Sequence, residues 1–196
     1  MKRSISVFGV MALATFGAVQ TARADYWAWN GSPTSPSYWD DLSLWLRSGA
    51  NTDFKNFNHN IMEKWSSGKA FADGWDKTIT FRNASILSNE VNKVGTLSVS
   101  AGSPQDPIVF AAERDDYGIW SSANLLITGE DDADSCLDIQ SGTYRFAQVN
   151  IANTKDKNGT IKVGGGALTT GAILNVGTAG TGYLDVTGGV VSVGTQ

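Results

Sequence analysis

Short apolar-x-apolar triplets recur through the second half of the chain at a spacing that leaves few folds open. They begin at Leu125 (Leu-Leu-Ile), Leu137 (Leu-Asp-Ile), Val149 (Val-Asn-Ile) and Ile161 (Ile-Lys-Val), each twelve residues after the last. Two more follow at Leu174 (Leu-Asn-Val) and Leu184 (Leu-Asp-Val), at intervals of thirteen and ten. A beat of this kind marks an internal repeat. In an extended triplet the outer side chains face one way and the middle one the other, so Leu184 and Val186 turn inward and Asp185 faces water. A strand of three or four residues buries too little surface to stand alone. Stacked coils about 4.8 Å apart let each backbone bond to the rungs above and below. The spacing therefore predicts an all-β chain wound as a parallel β-helix. A β-sandwich with evenly spaced turns is the alternative.

Every second triplet matches best, which sets the repeat unit at about two triplets. "LDIQSGTYRFA" from Leu137, "IKVGGGALTTG" from Ile161 and "LDVTGGVVSVG" from Leu184 align without a gap, with Gly142, Gly166 and Gly189 in one column. Glycine accepts the left-handed backbone angles that corners need. The register predicts an outward ladder of Asp138, Lys162 and Asp185, and a second stack of Asn150 on Asn175. The same register disposes of a nucleotide site at "VGGGALTTG". A Walker loop needs Lys-Ser or Lys-Thr after its last glycine, whereas Ala172 and Ile173 follow Gly171. No helix signal follows the glycines, as a dinucleotide fold would require.

The first half differs in character. Trp27, Trp29, Trp39, Trp45, Trp65 and Trp75 all precede residue 76, and only Trp120 follows. Asp53 is placed to cap a helix with Phe54, Phe57, Ile61 and Trp65 on one face, and Ser37 to Leu46 carries a shorter signal of the same kind. Strand patterns begin at Thr78. Ahead of this, Lys2 and Arg3, an apolar run from Ile5 to Val19 and the small-x-small Ala22-Arg23-Ala24 compose a signal peptide cleaved before Asp25. The expected division is thus a signal peptide over 1–24, a Trp-rich cap with short helices over 25–76 and solenoid repeats over 77–196. Cys136 is the sole cysteine, which excludes an intrachain disulfide. The net charge of −4, with no run of Lys or Arg, excludes a nucleic-acid partner.

The stretch "GTIKVGGGALTTGAILNVGTAGTGYLDVTGGVVSVG", with its aliphatic-x-Val and Thr-Gly-Gly units, resembles the autotransporter-associated β-strand repeat of bacterial passenger regions. The early "DYWAWNG" and "GWDKTITFRN" are similar to the way such proteins begin. The resemblance implies a right-handed parallel β-helix (solenoid), secreted or displayed at the cell surface or outer membrane, with a structural or adhesive role toward surface glycans or other cells. It departs from the family pattern in lacking a terminal barrel, which takes at least about eight strands. The chain is therefore expected to be an N-terminal fragment, associated with a membrane only through a region beyond Gln196.

Catalytic constellations are scarce. His59, the single histidine, sits between asparagines in the expected helix and reads as a surface residue. Glu130, Asp131, Asp132 and Asp134 lack the order of a calcium loop and read as a solvated turn. Arg114, Asp115 and Asp116 resemble only a fragment of the sets used by β-helical polysaccharide lyases. No metal or cofactor is expected. Trp27, Trp29 and Trp39 are the glycan-binding candidates, since exposed indoles stack on sugars. The competing role for the same residues is to close the end of the core.

Overall fold

A computed structural model describes residues 26–31, 36–49, 53–54, 58–62, 75–86, 92–128 and 133–194. Among the described residues fifteen strands follow one another: β1 (Tyr26–Trp29), β2 (Ser37–Tyr38), β3 (Trp45–Ser48), β4 (Asn58–Met62), β5 (Thr78–Phe81), β6 (Thr96–Ser100), β7 (Ile108–Ala112) and β8 (Gly118–Trp120), then β9 (Asn124–Ile127), β10 (Ser135–Ile139), β11 (Thr143–Ile151), β12 (Asn158–Val163), β13 (Ala167–Val176), β14 (Thr181–Val186) and β15 (Val190–Val193). They form two stacks, one ordered β15-β13-β11-β9-β6-β4-β1-β3 with β8 also on β11, the other β14-β12-β10-β7-β5-β2. Apart from β1 on β3, the strand pairings in both stacks are parallel. The chain is a parallel β-solenoid, and the sandwich alternative, an antiparallel architecture, falls.

The register is the one the triplets predict. Leu125, Val149 and Leu174 lie over one another in the first sheet, and Leu137, Ile161 and Leu184 in the second. Both sets of rungs place their aliphatic side chains in one core with Phe81, Phe110, Tyr144 and Phe146. From β8 onward a third segment completes each coil. The first half of β11 pairs with β8 and its second half with β9, with a register shift between Phe146 and Gln148. Asn150 and Asn175 stack as expected, the Asn175 Nδ2 donating to Asn150 Oδ1 at 2.7 Å. Asp138, Lys162 and Asp185 share one column, but the Lys162 amine donates to the Pro104 carbonyl at 2.6 Å instead of bridging the carboxylates. One corner is left-handed whatever residue occupies it: Thr128, Ala152 and Gly177, each at the end of a rung of the first sheet, have φ of 59°, 57° and 79°.

The leading end departs from expectation. The segment read as a helix capped by Asp53 is β4, whose His59 and Ile61 pair in register with Leu97 and Val99 of β6. Phe57 and Trp65 of that pattern lie outside the described residues. Parallel partners on both sides, β1 along Asn58–Asn60 and β6 along His59–Met62, pair with β4, and this outweighs a weak local helical preference. The second expected helix shrinks to a single 3-10 turn, Leu42–Leu44, capped by Asp41, which accepts from Ser43 N at 3.0 Å. Rungs of the solenoid therefore start inside the segment assigned to the cap. What closes the stack is β3, which runs antiparallel to β1 and ends the first sheet. The expected signal peptide over 1–24 lies outside the described residues.

Candidate functional site

The outward face of the second sheet holds a cleft of about 570 Å³ over β10, β12 and β14. One wall is the 102–107 loop between β6 and β7. Gly102 has φ +81°, and a Cβ there would lie 2.8 Å from both the Cys136 carbonyl oxygen and the Ile108 nitrogen. Only glycine lets the loop pack this closely on β10. Reciprocal backbone bonds between Ser103 and Asp106, 3.0 and 3.1 Å, tighten the turn, and Lys77 Nζ holds Asp106 at 2.5 Å. Lys162 pins the loop from the other side through Pro104.

Register builds the rest. Cys136, Thr160 and Tyr183 form one column and Lys162 and Asp185 the next. Thr160 is 9% exposed and floors the cleft, whereas the Tyr183 ring is 54% exposed and stands at its rim. At the side, Asp134 accepts from the Asn158 backbone N at 2.8 Å and from its Nδ2 at 3.1 Å, and these bonds hold its carboxyl below the usual carboxylate range. Burial pushes the Cys136 thiol up, which keeps it protonated and unreactive near neutral pH. The arrangement offers an aromatic face beside donors and acceptors, a combination suited to binding.

The tryptophans proposed for glycans go elsewhere. Trp29 and Trp39 are 0% and 1% exposed. Trp39 stacks on Phe81 at 5.3 Å and meets Trp45 edge-on at 4.8 Å, while Trp29 meets Trp45 at 4.9 Å. Their faces are covered by other rings, so neither presents a platform to a sugar. Trp45 Nε1 donates to the Trp39 carbonyl and Trp29 Nε1 to the Asp76 carbonyl, at 2.9 and 3.2 Å. Each indole thus fills the core while satisfying its one polar atom. Trp27 is half-buried, edge-on to Phe54 at 5.2 Å.

His59 corrects a further expectation. It is fully buried, among Phe54, Trp45 and Trp39 at 4.5, 5.1 and 5.2 Å, because β4 turns it inward. Arg114 and Asp116 form an exposed ion pair at 3.2 Å. Glu130, Asp131 and Asp132 lie outside the described residues, and among those described no cluster of three His, Cys, Asp or Glu is grouped to hold a metal. Sequence reasoning missed Tyr183. Its signal was an aromatic residue beside the inward Leu184, in a column otherwise held by the smaller Cys136 and Thr160. Comparison with protein-family models, with curated proteins and with solved structures finds no match in any of the three.

Proposed function

We propose that this chain is an exported bacterial protein whose β-solenoid serves as a passenger-type display element, secreted or held at the cell surface, with a structural and adhesive role. The observation that carries the reading is the stack itself. Successive coils stack at fixed spacing with their aliphatic side chains turned into one core, so the outer faces extend as regular surfaces open to contact. Export is supported by the basic, apolar and small-residue order of the first 24 residues, and the resemblance to autotransporter-associated repeats points the same way.

Antibody detection in fractionated cells of the source bacterium tests it. The chain is expected in the surface or extracellular fraction with Asp25 as its first residue, and protease added to intact cells should remove it. Retention in the cytoplasm with Lys2 to Ala24 intact would refute the proposal. A second reading, a secreted carbohydrate-binding protein, is favoured by the cleft under the 102–107 loop, where an exposed aromatic ring stands beside polar groups.

A further inference from the structure

From the make-up of this cleft we infer that it binds a neutral oligosaccharide, an inference that rests on the carbohydrate-binding reading above and names its ligand class. A sugar ring presents two chemistries at once, a C–H face and a rim of hydroxyls. Tyr183 supplies the first partner: an exposed phenol ring offers its face to C–H groups. Asp185 and Lys162 supply the second. Tyr183 and Asp185 point to the same side of β14 two residues apart, about 7 Å along the strand. Lys162 sits beside Asp185 on the next rung, about 4.8 Å away.

The polar atoms are available. An ammonium carries three donors, and the Pro104 carbonyl takes one from Lys162. Among the described residues the Asp185 carboxylate has no hydrogen bond or ion pair. An acceptor-only group beside a donor-only group suits neighbouring hydroxyls, each of which can donate to one and accept from the other. From the loop to Tyr183 the floor spans two rung spacings, about 10 Å, the reach of a short oligosaccharide.

Charge and backbone pairing select among ligands. Asp134, Asp138 and Asp185 surround a single Lys162, so a uronate, sialic acid or phosphate would meet net repulsion. A peptide adding a strand would pair along β14, the last strand of that sheet among the described residues, and not across the face that carries Thr160, Lys162 and Asp185.

The test is the full chain, purified, on immobilised glucan, mannan, galactan and chitin fragments, with uronate-containing and phosphorylated glycans alongside, followed by calorimetric titration of the best neutral binder. Binding to a neutral fragment is expected. Tyr183→Ala and Asp185→Asn should each weaken it by about tenfold or more with unchanged circular dichroism, since both side chains are exposed. Tyr183→Phe should keep most of the affinity, and Trp27→Ala should stay within about twofold. No neutral fragment bound at millimolar concentration, a preference for the acidic glycans, or indifference to Tyr183→Ala would each overturn the inference. Cell binding separates it from the display reading. Attachment abolished by protease treatment of target cells but not by periodate leaves display standing and sinks the saccharide. Cytoplasmic retention sinks display while glycan binding by the purified chain is unaffected.

Discussion

Replacing Gly166 by alanine adds one methyl group at a corner of the stack where two separate costs meet. The residue has φ +69°, and the new Cβ would lie 2.6 Å from the Gly142 oxygen, 2.8 Å from the Ser141 carbonyl carbon and 3.0 Å from the Gly142 nitrogen. The left-handed backbone costs an L-residue about 1–2 kcal/mol. The contacts are all backbone, so no flexible side chain can move aside. Relief requires the rungs to part by about 1 Å to reach an ordinary separation. That loosens the bonds from Ala167 N to Gly142 O at 2.8 Å and from Val190 N to Gly166 O at 2.9 Å, each worth about 1 kcal/mol. The expected loss is about 3–4 kcal/mol, or a drop in Tm of roughly 10 °C for a chain of this size. Gly164, two residues earlier, provides the comparison. Its Cβ would meet only Asp138 Oδ1 at 3.8 Å and Thr187 Oγ1 at 3.9 Å, so Gly164→Ala should be neutral or stabilising by about 0.4–1 kcal/mol through the unfolded chain. Urea and thermal unfolding of both variants, followed by far-ultraviolet circular dichroism, reads the difference. Equal melting of Gly164→Ala and Gly166→Ala would refute the assignment of Gly166 to a closed corner.

Further perturbations probe other parts of the stack. The Tyr144 hydroxyl is buried with no hydrogen-bond partner among the described residues, so Tyr144→Phe should stabilise the protein by about 1 kcal/mol in thermal melts. Burial raises the phenol pKa well above its ordinary value. The unfolded chain then releases this proton above about pH 10 while the native state keeps it. Stability therefore falls with rising pH there, by up to about 1.4 kcal/mol per pH unit, and Tyr144→Phe should flatten that decline in alkaline unfolding titrations. Asn150 Oδ1 accepts from both Gln148 and Asn175 at 2.7 Å, so Asn150→Ala should cost about 1–3 kcal/mol in urea unfolding. Trp39→Ala should cost about 3–5 kcal/mol by opening a cavity at the leading end, while Trp27→Ala should cost about half of that; acrylamide quenching should find Trp39 shielded.

The repeat was legible because its signals are local. Leu137-Asp-Ile, Ile161-Lys-Val and Leu184-Asp-Val each state which side chains face inward, and turn residues recur at fixed intervals between them. From these alone followed the coil, the register of Asp138, Lys162 and Asp185, and the asparagine stack. The third segment of each coil was harder to see. Tyr144-Arg-Phe146, Leu168-Thr-Thr170 and Val191-Ser-Val193 mix aromatic, aliphatic and hydroxyl residues at inward positions, so their common role shows only once β11, β13 and β15 lie in register.

The leading end and the cleft were decided by tertiary structure. The spacing of Phe54, Phe57 and Ile61 fits a helix as a local pattern, and β4 forms as a strand because β1 and β6 pair with it on either side. The same placement buries His59 and turns Trp29 and Trp39 from possible sugar platforms into core. Tyr183, Asp185 and Lys162 meet the 102–107 loop only because stacking sets β14 two rungs from a turn that lies about 80 residues earlier in the chain. Alternation and turn chemistry are properties of a few neighbouring residues, so the sequence by itself determined the coil. A contact between distant segments depends on how many coils intervene and how each loop folds back, and only the assembled stack holds that information.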